Sequence, residues 1–209
     1  MRAFTDVIQG SDSWLQLRKG RPTASRFADI ITAAKGELSK SSKGYILELI
    51  GECFCPDFQY WEGNKFTERG TLLEPDARAQ FTELTGKEVR TVGFVLSDDG
   101  ICGCSPDGLI VDSAGEFCAG LELKCPTPKT HIEYISDGVL PDAYKQQVHG
   151  SMAVTGLTEW HFMSYFPNMQ PFHILVGWDD YTEKLKDSLA LFVADYKATR
   201  DVLIPKLKI

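Results

Sequence analysis

Apolar residues recur at spacings of three and four through the first part of the chain and at two through its middle, which predicts helices first, strands next and a long helix at the end. Ser11 or Ser13 caps a short helix carrying Trp14, Leu15, Leu17 and Arg18, closed by Gly20, and Pro22 begins a turn. Thr23-Ala24-Ser25 opens a second helix with Phe27, Ile30 and Ile31 on its apolar face. A third helix fits about 41–54 through Tyr45, Ile46, Leu49 and Ile50, with Gly51 weakening its end. A long helical stretch follows, interrupted by Pro75, with Phe81 and Leu84 on its apolar side and Gly86 as its stop. From Val89 the pattern predicts strands over 89–96, 101–105, 108–112 and 117–125, a meander-like antiparallel unit that turns at Asp98-Asp99-Gly100. Helices then fit 127–137 and 142–155, strands fit 158–166 and 171–177, and a final helix runs over about 180–203. The expected fold is α/β (α+β), a central sheet flanked by α-helices. One domain is expected over 1–209, with N-terminal helices in 1–87, the sheet core in 88–178 and a C-terminal helix in 179–209.

Composition narrows the partners. Hydrophobic residues make up 43% of the 209, enough for one real core. The net charge of −7 argues against a chain that coats nucleic acid, since counterion release needs many Lys and Arg on phosphates. Any contact with DNA is therefore local. Basic residues gather early, as Arg18, Lys19, Arg21, Arg26, Lys35, Lys40 and Lys43, and a basic interior channel in an acidic exterior would reconcile the two facts. No apolar run reaches the length of a membrane span and the N-terminus lacks a signal-peptide pattern, so the expected location is the cytoplasm. Cys53 and Cys55, and Cys102 and Cys104, form C-x-C pairs rather than the usual zinc spacing, and small buried thiols are the expected reading. His131, His149, His161 and His173 are scattered without ligand spacing, and none is given a catalytic role.

The chemistry concentrates in Ser105-Pro106-Asp107-Gly108 and Glu122-Leu123-Lys124. Side chains repeat every two residues along a strand, so Glu122 and Lys124 share one face while Leu121, Leu123 and Cys125 make the other apolar. Asp107 ends a neighbouring apolar run, at a spacing that suits an adjacent strand. Two hard carboxylates with the carbonyl of Leu123 would hold Mg²⁺ or Mn²⁺, with waters completing the octahedron. Lys124 would orient the attacking water or stabilise the departing oxygen. Read singly, Asp107 is also a turn residue and Glu-x-Lys also a solvated face. The hydroxyls of Thr23 and Ser25 at a helix start, with Arg18 nearby, make either an ordinary cap or a phosphate seat. Glu74 is a surface acid, a helix start or a third carboxylate of the metal site. Gln147 lies on the inward stripe of its helix, as a structural amide or a ligand to water or phosphate.

In order along the chain, Trp14 to Arg18 with Gly20, Thr23-Ala24-Ser25, Gly70 with Glu74, Ala77 and Arg78, Cys104-Ser105-Pro106-Asp107-Gly108, Leu121 to Pro126, and Ala143-Tyr144 with Gln147 and Ser151-Met152 resemble the lambda-exonuclease-like (YqaJ-type) viral recombination nucleases of the PD-(D/E)xK superfamily. The resemblance implies a restriction-endonuclease-like core with a mixed sheet, and two-metal, Mg²⁺-dependent digestion of linear duplex DNA from its 5′ end, processively, leaving a 3′ single strand. It implies Asp107 and Glu122 as metal ligands, Lys124 as the residue that activates water, Glu74 and Gln147 as supporting residues, and Arg18, Thr23 and Ser25 as a 5′-phosphate pocket. A ring-shaped homotrimer, a single-strand annealing partner and a phage or prophage origin in a bacterial cytoplasm come with it. The competing readings are an endonuclease on the same core, which would cut closed circles, and a DNA-end-binding module that has lost catalysis.

Overall fold

The structure, a computed structural model, describes residues 1–55 and 65–207. In chain order the elements are β1 (Arg2–Phe4), α1 (Asp12–Arg18), a 3₁₀ turn (Ala24–Arg26), α2 (Phe27–Ile30), α3 (Ser42–Glu52), α4 (Lys65–Thr85), β2 (Val89–Arg90), β3 (Phe94–Leu96), β4 (Gly103–Cys104), β5 (Gly108–Val111), β6 (Phe117–Lys124), α5 (Pro128–Asp137), α6 (Asp142–Thr155), β7 (Glu159–Ser164), β8 (Phe172–Gly177) and α7 (Asp180–Leu207). The main sheet has the order β2-β5-β6-β7-β8 and is mixed, because β6 and β7 run parallel while the other neighbours are antiparallel. A parallel pair needs a crossover, and α5 and α6 supply it.

Each face of the sheet is covered by a helix. On one side Ala77 and Phe81 of α4 pack on Leu121, Leu123, Ile110 and Met163. On the other, Val148 and Met152 of α6 join Trp160 and Phe162 in the larger core, which α2, α3 and α7 complete through Phe27, Ile50 and Phe192. A β-carbon on Gly150 would sit 2.2 Å from the ring of Phe27, so only glycine lets α6 lie this close to α2. Among the described residues no helix is long and apolar enough to cross a membrane.

Several expected boundaries move. The strand expected over 89–96 breaks into β2 and β3, which belong to different sheets, and so the four-strand meander is divided: β3 and β4 pair with β1 in a small three-stranded sheet, while β5 and β6 stay in the main one. The break falls at Gly93, where a β-carbon would lie 2.0 Å from the carbonyl oxygen of Val7, so the chain following β1 presses directly on the backbone there. The helix expected from Thr23 is a 3₁₀ turn followed by only four helical residues, and Thr23 caps it without a side-chain bond. Pro75 does not interrupt α4, which runs continuously through it, and α7 extends to Leu207 through Pro205. Cys102 and Cys104 are buried thiols as expected, but Cys53, Cys55 and Cys118 are exposed.

Candidate active site

The site forms where β5 begins beside the end of β6. Asp107 directly precedes β5 and Gly108 pairs with Leu121, which brings the Asp107 carboxylate alongside β6, where its Oδ2 accepts the Leu123 N–H at 2.6 Å. A strand residue's N–H and C=O face the same neighbour, so the Leu123 carbonyl is directed to that side as well. Glu122 and Lys124 point to the opposite face from Leu121 and Leu123, as the period of two requires. There the Lys124 ammonium contacts Glu122 Oε1, the Gln147 amide of α6 donates to the same oxygen at 2.6 Å, and the ammonium sits 5.1 Å from the centre of the Tyr144 ring. Gln147 thus occupies the inward stripe of α6, bonded to the carboxylate.

Glu122 is 1% exposed, and among the described residues its Oε2 is buried without a hydrogen-bond partner. Burial raises its pKa to about 7 against the pull of Lys124, and the charge of Asp107 raises it further. Burial also raises Asp107, opposed by Lys124, by the Leu123 N–H and by Arg78. Lys124 is held above its usual range by the two carboxylates, although its own burial works against this. Two carboxyl groups that resist ionisation, one with an unmatched oxygen, fit a cation as the missing partner. Among the described residues no three acidic, histidine or cysteine side chains close on one point. Asp107, Glu122 and the Leu123 carbonyl are therefore the candidate ligands, with positions left for water and phosphate, an arrangement suited to Mg²⁺.

Glu74 sits beside this group without making a three-carboxylate cluster. Its carboxylate contacts Arg78 one turn along α4, and burial followed by the charge of Asp107 raises its pKa. Arg78 in turn grips the Asp107 carbonyl oxygen with Nη2 at 2.9 Å and Nε at 3.2 Å. This fork fixes α4 and Glu74 relative to the Asp107 backbone. Nothing in the sequence pattern alone gives Arg78 this part.

Arg18, Thr23 and Ser25 come together as expected. Arg18 is 5% exposed, and its Nη2 donates to Thr23 Oγ1 and to Ser25 Oγ, each at 3.2 Å. Its Nη1 donates to Ser105 Oγ at 3.3 Å, and the guanidinium stacks 4.4 Å from the Trp14 ring, whose Nε1 also donates to Ser105 at 2.8 Å. Ser105 and Trp14 were thus missed as partners of the guanidinium. The signal in the sequence was Ser105 itself, two residues before Asp107. Two other early basic residues are engaged by near neighbours: Arg21 donates to the Leu17 and Gly100 carbonyls, and Arg26 pairs with Asp29 and Glu48 at the surface. The histidines hold the scaffold, His131 between Ser164 and the Gln170 carbonyl, His149 on Thr182, and His161 on His173.

The sequence pattern of the YqaJ-like viral recombinase domain matches residues 13–158, a span that contains every residue of this site. The chain belongs to that family. Among solved structures it is similar to the alkaline exonuclease LHK-Exo from Laribacter hongkongensis, at 33% identity over 94% of this chain and 97% of that one, with a TM-score of 0.79. The same values hold for LHK-Exo in complex with dAMP. A phage-related exonuclease from Haemophilus somnus 129PT shares the fold, with a TM-score of 0.66 at 15% identity over 90% of this chain and 96% of that one. No curated protein matches the chain. Membership of the YqaJ-like family makes the chain a nuclease of the phage-recombination type, an exodeoxyribonuclease by class.

Proposed function

We propose that this nuclease is a Mg²⁺-dependent, processive 5′→3′ exonuclease on linear double-stranded DNA, leaving 3′ single strands for recombination by annealing. The observation that carries the proposal is the convergence of Asp107, Glu122, Lys124 and Gln147 on one strand end, joined through Ser105 to the Arg18 cluster. Bound between Asp107, Glu122 and the Leu123 carbonyl, Mg²⁺, with a second ion or with Mn²⁺ in its place, would supply neutralisation of the phosphate charge and a more acidic attacking water. Lys124 holds a positive charge against the developing oxyanion, and the Gln147 amide fixes the Glu122 carboxylate that faces the water. Glu74, held by Arg78, adds negative charge beside Asp107 and so strengthens the demand for a cation there.

Water attacks the phosphorus between the first and second nucleotides, the bond to the first nucleotide's 3′ oxygen breaks, and that oxygen leaves with a proton. The phosphate stays on the shortened strand. Each turnover therefore creates a new 5′ phosphate, and a buried arginine with the hydroxyls of Thr23, Ser25 and Ser105 is a fitting receptor for it. The toroidal homotrimer and the annealing partner belong to the same proposal, as do a phage or prophage origin and action in a bacterial cytoplasm.

The deciding experiment is Mg²⁺-dependent digestion of a linear duplex labelled on each strand, with 5′-phosphate, 5′-hydroxyl and covalently closed circular forms compared. Loss of one strand from the 5′-phosphorylated end, with circles intact, is the expected result. Cut circles would establish the endonuclease, and inert substrates the binding module.

A further inference from the structure

The helix that carries Arg18 has little grip on the core: no apolar side chain of α1 is fully buried, and Arg18 alone is. Polar contacts must therefore hold it in place. We infer that Glu52, at the end of α3, is a positioning residue for the Arg18 guanidinium, which it sets against Thr23 and Ser25 by holding the turn at Gly20. The inference rests on the phosphate-pocket reading above.

The turn supplies the first argument. Two residues after Arg18, Gly20 takes a φ of +66°, the left-handed conformation that glycine adopts without strain, and the chain reverses there from α1 toward Thr23. Glu52 Oε2 accepts the Gly20 N–H at 2.8 Å, and the Tyr196 hydroxyl of α7 donates to the Gly20 carbonyl at 2.7 Å. Both peptide units that flank the Gly20 α-carbon are thus held, one by α3 and one by α7. The end of α3 also presses on the α-carbon itself, where a β-carbon would lie 2.7 Å from Cys53 Sγ.

The pocket has two halves with separate anchors. Thr23 bridges to Gly103 of β4, and the Gly103 N–H donates to the Pro22 carbonyl at 3.0 Å, so the hydroxyl half belongs to the small sheet. The guanidinium half belongs to α1. Trp14 ties the start of that helix to Ser105, and Glu52 ties its end through Gly20. Arg18 Nη2 lies 3.2 Å from each of the Thr23 and Ser25 hydroxyls, at the long end of hydrogen-bonding range, and a small shift of the turn would take both contacts beyond it.

The chemistry of Glu52 agrees with this role. It is 5% exposed, and a buried carboxylate needs partners. Burial raises its pKa; the Gly20 N–H opposes that rise most strongly, Arg26 and then Arg18 oppose it less, and Glu48 adds to it. Its chief partner is therefore the turn. A negative group here would repel a phosphate, which makes Glu52 a support for the guanidinium and not a ligand of the strand end.

The test measures equilibrium binding of a short duplex with 5′-phosphate or 5′-hydroxyl ends, without divalent metal so that nothing is cleaved, beside a melting curve for each variant. Glu52→Ala removes the acceptor, whereas Glu52→Gln keeps an oxygen for the Gly20 N–H. The wild type should prefer the phosphorylated end; Glu52→Ala should lose about tenfold or more of that preference, the scale of one charge-assisted contact, and Glu52→Gln should retain most of it. A wild-type preference in Glu52→Ala, even with a lowered melting temperature, overturns the inference and leaves Glu52 a purely structural residue. Equal losses in the two variants overturn the bond to Gly20 as the cause. If Glu52→Ala does not fold, Tyr196→Phe, which frees the other side of the same turn, decides: a reduced preference supports the inference and an unchanged one overturns it. If the wild type binds both ends alike, the phosphate pocket itself falls and the inference with it.

Discussion

Arg18 Nη1 donates to Ser105 Oγ at 3.3 Å, and Ser105 stands two residues before Asp107, so the guanidinium and the candidate metal carboxylate are coupled through a single short stretch of backbone. On the proposed reading, recognition of the strand end and hydrolysis are thereby held in fixed register. Replacing Arg18 by Lys keeps the charge and loses the planar fork that reaches three hydroxyls. Arg18→Lys and Arg18→Ala should both lose the preference for 5′-phosphorylated over 5′-hydroxyl ends, by about tenfold or more for one charge-assisted contact. Rates on the two kinds of end measure it; an undiminished preference would move the phosphate pocket elsewhere.

Asp107→Asn keeps an oxygen that can accept the Leu123 N–H and removes a charge that burial disfavours. Cleavage should fall by at least about a thousandfold, while the melting temperature without metal stays level or rises. Residual wild-type cleavage would remove Asp107 from the ligand set.

Lys124→Ala should slow the chemical step by about 100-fold or more, the scale of one electrostatic or acid–base group. It also leaves Glu122 buried without its cation, so single-turnover rates must be read beside a melting curve. A near-wild-type rate with a lowered melting temperature would mark Lys124 as a structural residue.

Arg78→Lys cannot hold both the Asp107 carbonyl and Glu74 through one rigid fork. Mn²⁺ affinity, followed by electron paramagnetic resonance, should weaken by about tenfold, the scale found when outer groups around metal ligands are removed. Unchanged affinity would confine Arg78 to helix packing.

Acid should destabilise the fold through its histidines. His161, bonded to His173 at 2.8 Å and stacked on it, is held down to about 4, and His149 and His173 are lowered too, in each case mainly by burial. A base whose folded value lies below its unfolded one takes its proton first in the unfolded chain. The stability concerned is thus intact above about pH 6.5 and drains away as pH falls toward 4, by about 3 kcal/mol for His161 once the unfolded chain is fully protonated. The raised carboxyl groups of Asp107 and Glu122 act in the opposite sense, since protonation relieves their burial. The informative measurement is therefore the difference between wild type and His161→Phe in denaturant midpoint across pH 4–7, which should shrink as pH falls. A difference independent of pH would show that the pair titrates alike in both states.

Much of the site was legible because it is local. Glu122 and Lys124 share a face by strand period, and Tyr144 and Gln147 share one by helical period, so two short patterns set the four side chains toward each other. The helix-flanked sheet follows from the same alternation of elements, and its mixed character is what the family resemblance implies. What stayed hidden depends on contacts between distant segments. The division of the 89–96 strand is made by Val7 against Gly93, and β1 exists only because β3 offers it an edge. Ser105 ends the expected 101–105 strand with no part of its own, and its donors, Trp14 and Arg18, lie more than eighty residues earlier. Pro75 breaks no helix here because α4 rests on the sheet through Ala77 and Phe81, and that packing outweighs the local penalty.

The contact between the Lys124 ammonium and Glu122 has a practical side. With an internal counter-ion already seated against the deepest carboxylate, the polypeptide should not need the proposed metal ion to finish folding. A chelator should silence this protein without unravelling it, and the silenced form should regain full activity as soon as the ion is returned.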